Sequence, residues 1–269
     1  KFDQLCYGST VFFFIMYICL DNSNRGIVFL EMNRNMHTQK LIMYLVQCRK
    51  DDFIDCFEHL TNTFRGHLNI SMYGYPLFTI AASLKTLLDE EYSSEVFRKA
   101  KENMTGIWEY LERKGYIPEC AFQSVVNFGK QTIIYNENDS VESILGYPVE
   151  TFKRYGIRAI DCELYKAGVT FNFSEVEKLL ALGANPDVDI PCTLPPTEDD
   201  EEADDCWNLT SHLSMYWYDI FEPCEHILET WENGINKVDE EIEDSYLYQI
   251  VCSAVHKMML DFIEERRYK

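Results

Sequence analysis

Three pairs of residues have the types and spacing to hold a metal ion. Cys56 and His59 stand three apart in FIDCFEHL, Cys224 and His226 two apart in PCEHIL, and Cys252 and His256 four apart in QIVCSAVHKM. A structural zinc needs four such ligands converging in space, and each pair supplies two, so all six read as core residues. His37, His67 and His212 are scattered. The chain contains no His-Glu-x-x-His, no Gly-x-Ser-x-Gly and no Walker loop. Carboxylate pairs are everywhere, but with 45 acids in 269 residues their spacing carries no information. No catalytic residue, cofactor or metal ligand is assigned, and a hydrolase-type enzyme remains only as an alternative of another class.

The acids themselves are the more informative feature. Glu198, Asp199, Asp200, Glu201, Glu202, Asp204 and Asp205 place seven carboxylates in eight positions, just after Pro191, Pro195 and Pro196. The prolines break any continuous helix, so 189–206 reads as an acidic insertion. It lacks the glycine and spaced ligands of an EF-hand loop. A run of like charges is ordinarily solvated; its sharper use is to meet a basic protein. Tyr216, Trp217 and Tyr218 follow closely. Three adjacent aromatics cannot share one helix face, which leaves at least one exposed, and Tyr and Trp are the residues that anchor interfaces.

The whole chain carries a net charge of −21. Such a field repels phosphate backbones and anionic lipid, which argues against nucleic-acid and membrane binding, and it favours encounter with a basic partner. Ten cysteines sit mostly inside apolar helical patterns with no Cys-x-x-Cys, so free thiols in a cytoplasmic protein are expected rather than a disulfide framework.

Behind these residues stand the elements that must position them. Gly and Pro number only 12 and 8, while 46% of residues are apolar, which suits an all-α protein better than a sandwich needing frequent turns. The run VFFFIMYICL at 11–20 is too short to span a bilayer, which takes about 20 residues. With DNSNRG and IVFLEM it suggests a small β-hairpin near the N-terminus. Charged residues number 6 in the first 35 and 63 in the remaining 234. Residues 1–35 are therefore expected to be a hydrophobic appendage or non-native extension, with the functional module beginning near Met32 or Met36 and running over 36–269. From Met36 apolar residues recur at helical spacing, first through MHTQKLIMYLVQCRKDDFIDCFEHL and then through segments of about a dozen residues to the end.

Helices this short are marginal alone and become stable by stacking in pairs. Three helix ends are alike: IWEYLERKG closing at Gly115, VEKLLALG at Gly183 and ILETWENG at Gly234. Each uses glycine where a helix enters the left-handed region. The continuation Gly183-Ala184-Asn185-Pro186-Asp187 resembles the end of an ankyrin repeat, with Val176, Leu179 and Leu180 at the core positions of its second helix. Tyr75-Pro76-Leu77-Phe78-Thr79-Ile80-Ala81-Ala82 resembles the start of an ankyrin first helix, with Pro76 suited to the first turn. Tyr75 and Phe78 depart from the Thr and His that usually tie repeats together. Gly115 to Gly183 spans 68 residues, two units of about 34 with a degenerate one near Ile144-Leu145-Gly146. Gly183 to Gly234 spans 51, which accommodates the insertion.

The resemblance implies a short, irregular solenoid of stacked helix pairs that binds a protein along a groove; an unrelated helical bundle is the alternative architecture. Val176, Leu179 and Leu180 are expected to be buried, and Ala184 to Asp187 to form a surface turn. The function expected is a non-enzymatic protein–protein interaction module with a basic partner. By analogy with acidic helical-repeat proteins, an immunity protein that neutralises a bacterial toxin such as a nuclease is the alternative.

Overall fold

The computed structural model describes residues 25–64, 70–89, 95–132, 135, 137–191, 206–218 and 244–267. Among them the protein is mostly helical. The N-terminal group comprises α1 (Arg25–Val46), α2 (Lys50–Phe64), α3 (Leu77–Leu87), α4 (Glu95–Arg113) and α5 (Ala121–Thr132). Then come α6 (Val141–Leu145), α7 (Val149–Lys153), α8 (Ala159–Val169), α9 (Phe173–Ala181), α10 (Leu209–Tyr218) and α11 (Asp244–Arg267). Two antiparallel hairpins interrupt them. In one, β1 (Ser71–Met72) pairs with β2 (Tyr75–Pro76); in the other, β3 (Ile190–Pro191) pairs with β4 (Cys206–Trp207).

Several local expectations are corrected. Ile27–Met32 is helical, part of α1, and the N-terminal-third hairpin stands at 71–76 instead. No proline or internal glycine separates Ile27 from Met36, so helix propagation overrides the β-propensity of the run. One helix also crosses the expected boundary at residue 36; residues 1–24 lie outside the described residues. The single helix read from Met36 divides at Cys48, whose φ of 51° is left-handed. Arg49 N–H bonds back to the Tyr44 carbonyl at 2.9 Å, and α2 restarts with Asp51 and Asp52 in its first turn, where the helix dipole favours anions. Tyr75 and Pro76 belong to a strand. Tyr73 and Gly74 form a two-residue turn with φ of 51° and 87°, the primed type that matches strand twist. Pro76 is then the residue before the helix rather than in its first turn.

The same closure ends several helices. Tyr116 N–H reaches the Leu111 carbonyl, Ile157 reaches Phe152, and Ala184 reaches Leu179, at 2.9–3.2 Å. Gly115, Gly156 and Gly183 occupy the left-handed position in between, as in the Schellman motif. At the end of α8 that position is filled by Phe171, fully buried at φ 51°.

Long-range packing centres on α11, which contacts α3, α5, α9 and α10. From Leu247 to Ile263 its buried residues include Leu247, Ile250, Val251, Ala254, Val255 and Met259, each 0% exposed. A helix buried on more than one stripe is a central element. Close approach is allowed by Gly129 of α5: a Cβ there would lie 2.4 Å from a Val255 methyl. The helix pairs α1–α2, α3–α4 and α8–α9 pack pairwise, as stacked units would. The joining of α3, α5, α9 and α10 through α11 is a contact pattern that a one-dimensional stack, where each unit touches only its neighbours, does not make.

Candidate functional site

The turn that closes α9 is tied to the start of α8. Asp161, nearly fully buried, accepts from Arg158 Nε and Nη2 at 2.8 and 2.7 Å and from Asn185 N–H at 2.8 Å. Arg158 Nη2 also donates to the Gly183 carbonyl at 2.8 Å. Burial works to raise the Asp161 pKa, but the hydrogen bonds from Arg158 and Asn185 and the Arg158 charge outweigh it and hold the carboxyl below its ordinary value. Val176 is fully buried, Leu179 is 6% exposed and Leu180 is half-buried against the core. Ala184 and Pro186 tuck inward while Asn185 faces solvent, so the expected surface turn has an alternating, partly buried face.

The two ends of the acidic insertion are joined. Leu209 N–H bonds to the Pro186 carbonyl at 3.1 Å, Asn208 Nδ2 to Asp189 at 3.0 Å, and Thr210 Oγ1 to Asp187 at 3.1 Å. Arg267, at the end of α11, forms an ion pair with Asp187. Glu198, Asp199, Asp200, Glu201, Glu202, Asp204, Asp205 and Gly234 lie outside the described residues, and so do the side chains of Tyr216, Trp217 and Tyr218, whose backbone ends α10. Pro76, Leu77 and Ala81 gather at the start of α3, where Leu77 and Ala81 are buried, and Gly115 ends α4.

The cysteine–histidine pairs are built into packing. Cys56 Sγ donates to the His37 carbonyl at 3.6 Å, and the His37 and His59 rings lie 4.9 Å apart. Burial raises the Cys56 pKa, with Lys40 opposing, which suppresses the reactive thiolate. His256 Nδ1–H donates to the Cys252 carbonyl at 2.7 Å, and its ring meets Phe171 edge-on at 4.8 Å. Burial pushes the His256 pKa down to about 4. No group of three or more His, Cys, Asp or Glu is placed to hold a metal among the described residues. Cys224 and His226 lie outside them.

A cleft of about 320 Å³ opens where the ends of α3, α5, α9 and α11 meet. Phe122, Phe173, Met258 and Phe262 supply its apolar lining, and Asp89, Asp261 and Glu265 its carboxylates, against one ammonium, Lys85. Phe173 and Phe262 meet edge-to-face at 5.1 Å, and Arg266 stacks over Phe262 with its guanidinium carbon 3.4 Å from the ring centre. Asp261 is held by the buried Lys257 at 2.8–2.9 Å. Asp89 and Glu265 are about 70% exposed; their cationic neighbours stand at 3.4 Å (Lys101) and 3.7 Å (Arg266).

Comparison with protein-family models, curated proteins and solved structures finds no match to this chain. The site therefore stands on its own chemistry. Sequence reasoning missed the cleft because its walls come from four helices spread between residues 85 and 265. One signal was readable: Phe122 sits beside the buried stripe of Ala121 and Val125 and is 38% exposed. Among the described residues, no helix is long and apolar enough to cross a membrane.

Proposed function

We propose that this chain is a non-enzymatic protein–protein interaction module, an ankyrin-like set of helix pairs gathered on a central helix, which takes a basic protein partner. The observation that carries this reading is where the charge lies. Between Glu198 and Glu243 the sequence holds 16 acids and one base, Lys237, whereas the rest of the chain holds 29 acids and 23 bases. Charge serving solubility alone has no reason to be concentrated in one segment; a concentrated run of acids steers an oppositely charged protein to that segment. The ankyrin-like part of the reading is supported by the shared closure at Gly115 and Gly183 and by the order turn, helix, helix over 71–113, the order of one such repeat.

The same concentration favours the immunity reading as the second choice, because carboxylates massed in one segment imitate the phosphates that a toxin nuclease binds. Capture on the immobilised full chain, followed by elution in a NaCl gradient, tests both. A Lys/Arg-rich protein released steeply by salt is expected, and a nuclease domain among such proteins would select the immunity reading. Retention of a neutral partner through high salt would contradict the acidic-surface reading.

A further inference from the structure

We infer that His37 and His59 form a two-histidine site for a divalent transition-metal ion, held between α1 and α2. The inference is independent of the interaction reading above. It grows out of a pairing that chain order hides. Cys56 and His59 stand three apart on α2, but the fold brings His37 of α1 beside His59 and turns the cysteine elsewhere, its thiol donating to the His37 carbonyl.

The geometry suits a shared ion. The two ring centres are 4.9 Å apart and their planes stand at 58°, neither a parallel stack nor an edge-on contact. Two imidazoles sharing one ion through bonds of ~2.1 Å place their ring centres ~4.5 Å apart across a right angle and ~5 Å apart across a tetrahedral one. The observed separation falls within that interval. His59 is exposed and His37 half-buried, so an ion and its waters can reach the pair from solvent. Among the described residues, neither ring makes a hydrogen bond. The rings of His212 and His256, by contrast, are bonded to the Tyr165 hydroxyl and the Cys252 carbonyl.

The chemistry selects the ion. Only a neutral imidazole nitrogen ligates a metal. Partial burial, His59 beside it and the charge of Lys40 hold the His37 pKa below its ordinary value, which keeps a lone pair available at neutral pH. Lys40 is exposed, and its flexible stem lets the ammonium swing away from an incoming cation. Imidazole suits copper, nickel and zinc, whereas magnesium and calcium take oxygen ligands. Water fills the remaining positions, and the bound ion ties α1 to α2 across the turn at Cys48.

The test titrates the full chain with NiCl2 in the presence of excess MgCl2, which occupies carboxylates without competing for imidazole. Histidine Hε1 signals are followed by NMR, since paramagnetic nickel broadens the nearest protons first. Those of His37 and His59 should broaden together, ahead of those of His67, His212, His226 and His256, and the melting temperature should rise with nickel. His37→Gln and His59→Gln should each weaken binding about tenfold or more, by removing the gain from a second ligand fixed in place. Cys56→Ser should leave binding unchanged. Affinity should fall as pH drops below about 6.5, where protons compete for the rings. The inference is overturned if no nickel binds, if other histidines broaden first, or if either histidine variant binds as tightly as the parent chain. Loss of binding in Cys56→Ser, with folding checked by circular dichroism, would equally contradict a site made by two imidazoles.

Discussion

The carboxylate of Asp161 accepts the backbone N–H of Asn185 at 2.8 Å across 24 residues of chain. Through this bond, and through Arg158 on the Gly183 carbonyl, the first turn of α8 fixes the loop from which the acidic insertion departs. Asp161→Ala should cost about 2–3 kcal/mol in urea unfolding, because it strands a partly buried N–H and a guanidinium together. Arg158→Ala, with its side chain 54% exposed, should cost less than Asp161→Ala, because water screens the pair from that side. Because the folded-state Asp161 pKa is depressed, its contribution is present above the unfolded value, about 3.9, and is lost as pH falls through the lower folded value. Asp161→Asn should therefore weaken the fold at neutral pH and flatten the acid limb below about pH 4.

A second acid-sensitive window has a different source. His256 is buried and neutral, with its pKa pushed down to about 4 from 6.5. The unfolded chain binds this proton between those values and the folded chain does not, so stability falls as pH drops from about 6.5 to 4. The full loss is roughly 3 kcal/mol, and it is absent above pH 7. Burial lowers His212 in the same direction. Unfolding free energies measured from pH 8 to 4 should show this slope, and His256→Gln should remove most of it; an unchanged slope would place its origin elsewhere.

Gly129 is where α5 reaches α11. Gly129→Ala should destabilise by about 2 kcal/mol despite better helix propensity, since the new methyl meets Val255 at 2.4 Å at Cγ1 and 2.8 Å at Cβ. The β-branched neighbour has little freedom to move aside. Adding Val255→Ala should recover part of the loss, so the two changes should be non-additive in a double-mutant cycle. Gly183→Ala is the contrast. Nothing lies within 4 Å of that Cβ and only φ of +86° opposes it, for a cost of about 1 kcal/mol.

These positions also show what could be read from the residues in order. The helical period from Met36 onward, the stop at Gly183 and the burial of Val176 and Leu179 were legible, because each depends on spacing within one segment; Leu180 is only half-buried. The break at Cys48 was not: its left-handed backbone is held by tertiary burial, with no glycine to announce it. The Tyr73–Gly74 turn was hidden for a different reason, since the Pro76 that follows it suits the start of a helix equally well. Asp161 looked like one more carboxylate among 45, and only folding brings it to Asn185. The central role of α11 and the cleft at its C-terminal half depend on which distant helices meet, information that no local period contains.

The most direct test of the account concerns the charge concentrated between Glu198 and Glu243. The association and dissociation rates of the basic partner should be measured with the full chain and with a variant whose seven acids from Glu198 to Asp205 are replaced by their amides. At low salt the variant should associate about tenfold or more slowly and dissociate at an unchanged rate, with the difference vanishing as salt rises. Equal association rates at low salt would contradict the claim that this concentrated charge serves to recruit a basic protein.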